Sequence, residues 1–191
     1  MSQHVYLVGH GETSLNADGR LRGLADPELN ERGELQAHAV AVALANADVD
    51  VVVSSPLRRA VHTAVAIAQH VGVAHQIDDR FNDRDYGRWT GSVRSEVIAQ
   101  WGSIDAAPGV EPTEAVLSRA QPAFDEWGVW AESRHEAVVV VTHDAVIRPL
   151  LARIAPTLPP LSVPTGSYQV LQYETGTWHA ELTDQLPSLL E

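Results

Sequence analysis

The fold is decided by residues 4–11, HVYLVGHG, and by residues 137–143, AVVVVTH. Each stretch is a short apolar run rich in β-branched residues that ends in a loop with a histidine, which indicates a buried strand. Strands separated by helices are typical of a mainly parallel sheet. We therefore expect His10 and His143 at the carboxyl ends of strands, where such sheets bind ligands. They share a site if the two strands are neighbours.

The stretch between these strands begins with a helix. Asn30 predicts the N-cap of a helix over residues 31–46. Helical spacing predicts its inner face from four apolar residues: Leu35, Ala39, Val42 and Ala43.

A second buried strand, VDVVVSS, leads into a longer helix. Ser55 is placed to cap this helix, Pro56 to occupy its first position and Gly72 to end it. Five apolar residues are predicted on its inner face: Ala60, Ala64, Ile67, Ala68 and Val71.

The remaining pattern completes an alternation of strands and helices. It predicts a short strand at 74–77, helices near 93–101 and 113–132, a helix after His143 and a hairpin over 168–182 with a Thr-Gly turn. We predict an α/β fold, a three-layer sandwich with a mostly parallel sheet and helices on both faces, in which residues 1–191 form one domain.

Composition excludes several kinds of chemistry. The 191 residues contain no cysteine, which excludes thiolate catalysis and zinc-thiolate sites, and no lysine, which excludes Schiff-base chemistry. A net charge of −12 argues against a nucleic-acid partner, because surfaces that follow phosphates are normally basic. No apolar stretch reaches the length of a membrane span and no targeting signal is visible, so we expect a cytoplasmic protein without a membrane partner.

Four segments carry the chemistry: LVGHGETSLN (7–16), SSPLRRAVHTA (54–64), FNDRDYGRWTG (81–91) and VTHDAVIR (141–148). Together they resemble the histidine phosphatase superfamily, also called the phosphoglycerate mutase-like family. LVGHGET is similar to the family motif Leu-Val-Arg-His-Gly-Glu-Thr at all but one position. The resemblance extends from Val5 to the C-terminal hairpin and implies the same fold.

The resemblance implies a role for each matching residue. His10 is the nucleophile, with its other ring nitrogen held by a backbone carbonyl, and Asp83 is the general acid. The transferred phosphoryl group is expected to meet Arg59, Asn16, a protonated His143 and backbone N–H groups near Gly11 and Asp144. No metal ion and no cofactor are implied.

The sequence departs from the family at three positions. Gly9 stands where the family has a phosphate-clamping arginine, Asp144 where it has a glycine, and Asp83 where it usually has a glutamate. Asp144 either faces the substrate or caps the following helix. Another arginine from a loop is a potential replacement for the missing clamp: Arg20, Arg22, Arg84 or Arg88.

Three functions remain open at this stage. The first is a metal-independent phosphomonoester hydrolase that acts through phosphohistidine on a small phosphorylated metabolite. The second is a weakened or inactive relative that binds a phosphorylated ligand or partner, or free phosphate. The third is a mutase-type phosphotransferase. Selectivity is expected from residues 79–112 and 156–165, with Tyr86, Trp89 and Trp101 as aromatic candidates. The oligomeric state is left open.

Overall fold

The computed structural model describes residues 4–189. Strands of this region form a sheet: β1 (His4–Gly9), β2 (Val49–Ser54), β3 (Ala74–Ile77), β4 (Ala137–Thr142), β5 (Tyr168–Glu174) and β6 (Thr177–Gln185). Their order across the sheet is β3, β2, β4, β1, β5, β6. β1 to β4 run parallel, whereas β5 and β6 are antiparallel to their neighbours. The predicted fold class is confirmed.

Helices cover both faces of the sheet. They are α1 (Ser14–Ala17), α2 (Glu31–Ala43), α3 (Arg58–Val71), α4 (Arg94–Trp101), α5 (Thr113–Arg134) and α6 (Asp144–Ile154), with 3₁₀ turns at Asp79–Phe81 and Gly87–Trp89. Successive strand residues point to opposite faces. Leu7 therefore joins the core under α5 and α6, while Val8 joins the core under α2 and α3.

β1 and β4 are adjacent, as a shared site requires. Val8 pairs with Val141 and Gly9 with Thr142 in a parallel register. The register continues one residue further, because the His10 N–H donates to the Thr142 carbonyl at 3.1 Å. His10 and His143 thus leave the sheet at the same edge, with ring centroids 5.1 Å apart.

The predicted inner face of α2 is wrong at three of its four positions. Leu35 and Val42 are 49% and 38% exposed, and Ala43 is exposed as well. The physical reason lies at the start of the helix, where Gly33 packs on the loop after β1. A Cβ on Gly33 would lie 2.1 Å from the Glu12 carbonyl oxygen. This close approach turns the small and polar residues inward, and the helix ends at Ala43 instead of Asn46.

The start of α3 also differs from the prediction. Leu57 is the N-cap, without a side-chain hydrogen bond, and Ser55 and Pro56 precede the helix. The Ser55 hydroxyl instead forms a hydrogen bond with His143, which ties the end of β2 to the end of β4. Gly72 ends the helix in the left-handed conformation, as predicted.

The later elements follow the prediction closely. Asn30 caps α2 by accepting from the Gly33 N–H, and α5 continues through Pro122 to Arg134. Thr175 and Gly176 form the turn of the C-terminal hairpin, whose second strand is longer than predicted. No helix within residues 4–189 is long and apolar enough to cross a membrane.

Candidate active site

His10 is held in one orientation by its own backbone neighbour. Its Nδ1 lies 2.7 Å from the Gly11 carbonyl oxygen, which only accepts hydrogen bonds, so Nδ1 carries the proton. The lone pair is therefore on Nε2. Burial, aided by the charges of Arg59 and Arg22, lowers the pKa of His10 to about 3. At neutral pH the imidazole is uncharged, which is the state a nucleophile requires.

His10 faces a cavity of about 310 Å³ at the carboxyl edge of the sheet. The cavity walls come from loops far apart in the sequence and include Gly9, Asn16, Arg22, Asp144 and Thr165. No group of three or more His, Asp or Glu side chains in the described part of the chain is placed to hold a metal ion.

Arg59 lies fully buried in the first turn of α3. Its Nη1 donates to the Ala25 carbonyl at 2.7 Å, and its Nη2 donates to the Gly23 carbonyl and to Asp83 Oδ2, each at 2.8 Å. Its Nε has no hydrogen-bond partner within residues 4–189. Three of the five N–H groups of this guanidinium are therefore committed to the protein, and the Nε N–H and one Nη1 N–H have no acceptor among the described residues.

Asp83 is equally buried, between Arg59 and His143. Its Oδ1 accepts from the Arg84 N–H, and its Oδ2 lies 3.5 Å from His143 Nδ1. Burial raises the pKa of the Asp83 carboxyl, and Arg59 opposes this only in part. Asp83 borders a separate cavity beside Arg119, outside the walls of the His10 cavity.

His143 differs from the expectation that it is protonated. Burial and the nearby charges of Arg59, His10 and Arg22 lower its pKa well below the ordinary value, so the free protein holds it neutral. Its Nε2 shares a hydrogen bond with Ser55 Oγ at 2.8 Å. A neutral His143 contributes to the site a polar ring with no net charge.

Asp144 is the first residue of α6 and not its N-cap, which is His143, and no side chain of the described residues caps this helix. The Asp144 carboxylate binds Arg22 Nη2 at 2.5 Å through Oδ1 and Arg148 through Oδ2. Burial would raise the pKa of Asp144, but these two arginines lower it below the ordinary value. The negative charge that the sequence places near the substrate is therefore neutralised.

The other predicted phosphate ligands have partners in the protein. Asn16 lines the cavity, and its Oδ1 accepts from the N–H and hydroxyl of Thr13. The Gly11 N–H donates to Thr63 Oγ1 at 3.0 Å and is already used. A Cβ on Gly11 would lie 2.4 Å from the Gly33 carbonyl oxygen, so glycine is required there by close packing.

One wall of the cavity is formed by residues that belong to no recognisable sequence motif. Val163, Pro164 and Thr165 close the side next to Gly9, within the segment expected to govern selectivity. Val163 has a φ of 46°, an unfavourable conformation for a β-branched residue. The Asp184 carboxylate accepts from its N–H and from Ser162, which holds this wall against the end of β6.

Fold and site together define an α/β protein of the phosphoglycerate mutase-like type, with a neutral histidine at the carboxyl end of the central strand. The chain belongs to the histidine phosphatase superfamily (branch 1), whose family model matches residues 5–185.

Phosphatases are among its relatives. It is 33% identical over 154 residues to phosphoserine phosphatase 1 of Hydrogenobacter thermophilus, covering 74% of this chain and 71% of the relative. It is 29% identical over 189 residues to glucosyl-3-phosphoglycerate phosphatase of Mycobacterium tuberculosis, covering 89% and 80%. The structure of a mycobacterial glucosyl-3-phosphoglycerate phosphatase complexed with VO3 matches with a TM-score of 0.84 and 28% identity, over 95% of this chain and 98% of that one.

Proposed function

We propose that this protein hydrolyses phosphate monoesters of small metabolites through a phosphohistidine on His10, without a metal ion. The observation that carries the proposal is the state of His10. It is neutral, its Nδ1 is fixed by Gly11, and it lies beside an arginine in a cavity. A nucleophile with its lone pair free and a cation for the phosphate are the two requirements of the reaction.

The reaction has two displacements. His10 Nε2 forms a bond to phosphorus while the bond to the ester oxygen breaks, and Asp83 gives that oxygen a proton. Water then attacks the phosphohistidine, the N–P bond breaks, and the water proton returns to Asp83. Free phosphate and an alcohol leave, and both residues regain their starting states.

The raised pKa of Asp83 supports its role as the acid, because burial makes the carboxyl hold a proton more readily than an exposed aspartate does. Arg59 Nε and His143 Nδ1, both buried without a hydrogen-bond partner among the described residues, lie next to Asp83 and support the binding of an anion there. We assign Arg59, Asn16 and the backbone near Asp144 to the phosphoryl oxygens.

The organic part of the substrate has a place beside Asp144. A second cavity of about 360 Å³ shares Asp144 with the His10 cavity and includes Tyr86, Arg94 and Arg148 in its walls. The substrates named for the relatives, phosphoserine and glucosyl-3-phosphoglycerate, are small phosphorylated metabolites and support this substrate class. Trp89 and Trp101, which the sequence offers as aromatic candidates for selectivity, contact each other, with ring centroids 6.0 Å apart.

A second function, binding of a phosphorylated ligand without turnover, is favoured by one observation. Arg59 donates three of its five N–H groups to Gly23, Ala25 and Asp83, and Gly9 brings no side chain to the cavity. A site with few free donors binds phosphate more readily than it stabilises the more highly charged transition state.

The two functions separate in one assay. We would measure aryl-phosphate hydrolysis by the native protein beside His10→Ala, together with phosphate binding to the native protein by calorimetry. Turnover that His10→Ala abolishes supports the hydrolase. Equal turnover in the two proteins contradicts it, and phosphate binding with no turnover in either protein supports the binding function.

A further inference from the structure

Of the four loop arginines that the sequence offers in place of the missing clamp, the structure brings one to His10. Arg20 donates to the Gly91 carbonyl, Arg84 to Asp105 and the Glu111 carbonyl, and Arg88 lies over the Trp89 ring at 4.8 Å. Arg22 alone among them lines the His10 cavity.

The Arg22 side chain lines this cavity and has an unsatisfied donor. It is 13% exposed, and its Nε is buried with no hydrogen-bond partner in the part of the chain that the structure describes. A buried guanidinium N–H without an acceptor costs free energy unless a ligand supplies one. Asp144 and Asp83 raise the pKa of Arg22 despite its burial, so the group stays charged.

Asp144 fixes the direction of Arg22. One carboxylate oxygen binds Arg22 Nη2 and the other binds Arg148, four residues along α6. The backbone around Arg22 is fixed too, because Leu21 exchanges hydrogen bonds with the segment at Gly91 and Ser92. Asp144 therefore holds the Arg22 guanidinium through Nη2, and Nε has no acceptor among the described residues.

We propose that Arg22 is the phosphate clamp of this protein and that Asp144 is its positioning residue. Arg22 donates from Nε to a non-bridging phosphoryl oxygen while His10 Nε2 attacks phosphorus, and it remains charged throughout. Gly9 and Asp144 each depart from the family motif in a way that, taken alone, weakens phosphate binding. In this proposal they belong to one arrangement, in which the cation reaches the phosphate from the loop before α2. This inference rests on the proposed function.

The test removes one charge at a time from matched arginines. Arg22→Gln keeps the length and a donor, and Arg88→Gln is the control with the same loss of charge on the surface. We expect Arg22→Gln to lower kcat/KM for an aryl phosphate by about 10²–10³-fold. We expect it to weaken inorganic phosphate binding by about tenfold or more. Arg88→Gln should leave both unchanged, and circular dichroism melts check that each variant is folded.

Rescue from position 9 distinguishes a clamp from a structural role. A Cβ on Gly9 would lie 3.4 Å from the Pro164 carbonyl oxygen and farther from other atoms, so the backbone accepts a side chain. Gly9→Arg should raise kcat/KM by about tenfold or more in the Arg22→Gln background. It should raise it much less in the native background, where Arg22 already binds the phosphate. Equal gains in both backgrounds would overturn the proposal.

Asp144→Asn tests the positioning role. This substitution should raise KM, and it should lower kcat by less than Arg22→Gln does. In a protein that already carries Arg22→Gln, adding Asp144→Asn should cause no further change. The outcomes separate the two proposals. If Arg22→Gln turns over as fast as the native protein and His10→Ala does not turn over, the clamp proposal is wrong and the hydrolase proposal is supported. If the native protein shows no turnover, the proposed hydrolase function is contradicted. The clamp is then tested by comparing phosphate binding to the native protein and to Arg22→Gln.

Discussion

The candidate active site has two regions that are built differently. The first, called the floor here, consists of His10, Arg59, Asp83 and His143 and is almost completely buried. His10 and His143 follow strand ends, Arg59 lies at the start of α3, and Asp83 lies in the loop after the 3₁₀ turn Asp79–Phe81. The rim, Arg22, Asp144 and the wall at 163–165, is more exposed and consists mostly of loops. Floor residues bind one another and the backbone of the fold, whereas the proposed clamp on the rim has few structural partners, so we expect its replacement to leave the fold intact.

Arg59→Ala should produce the largest effect, because it removes a floor residue with structural partners. The carboxyl of Asp83 and the carbonyls of Gly23 and Ala25 would lose their donors. We expect a loss of about 3–5 kcal/mol in the free energy of unfolding, as for other broken buried pairs. Urea denaturation beside Arg22→Gln measures it. Comparable losses for the two variants would erase the distinction between floor and rim.

Asp83→Asn should come next, with an effect that depends on the leaving group. A general acid contributes about 10²–10⁴-fold, and this contribution is needed only when the leaving oxygen is a poor leaving group. We expect a large fall in kcat/KM for alkyl phosphates and a small one for activated aryl phosphates. A uniform loss would assign Asp83 to holding Arg59 and His143 instead of giving a proton.

Part of the site can be predicted from the sequence. His10 and His143 follow strand ends, and parallel strands gather their carboxyl ends at one edge, so the hydrophobic pattern places both residues. Arg59 and Asp83 are identified only by the resemblance of their segments to the family. The inner face of α2 was mispredicted because a contact between Gly33 and Glu12 outweighs the apolar spacing of the helix.

The rim required the structure. Arg22 was one of four equivalent loop arginines in the sequence, and no local pattern shows that Asp144 selects it across 122 positions. The Val163 wall depends on Asp184 in the last strand, which carries no motif. That residues 1–191 act as one domain stays a prediction.

Two glycines of the first motif should behave oppositely, with a smaller effect than the changes above. A Cβ on Gly11 meets the Gly33 carbonyl oxygen at 2.4 Å, whereas a Cβ on Gly9 makes ordinary contacts. Gly11→Ala should destabilise by about 1–3 kcal/mol, as overpacking does. Gly9→Ala should change stability little. Thermal melts of the two variants measure this difference. An equal loss of stability in Gly11→Ala and Gly9→Ala would contradict the close packing of Gly11.

The buried histidine predicts that stability depends on pH. The unfolded chain protonates His10 below its ordinary pKa of 6.5, whereas the folded protein keeps it neutral down to about 3. Stability should therefore fall as pH drops from about 6.5 towards 3, by up to about 1.4 kcal/mol per pH unit for this group. His10→Gln should flatten the slope and the exposed His70→Gln should not. Equal slopes would contradict the buried neutral state.

The central claim is tested most directly by trapping the phosphorylated enzyme. The native protein would be mixed with an aryl phosphate, quenched during turnover, and digested for mass spectrometry of the peptide that contains His10. The account predicts an acid-labile phosphoryl group on His10 that forms and decays at rates matching turnover, and none in His10→Ala. Turnover without phosphate on His10, or turnover that persists in His10→Ala, would contradict it.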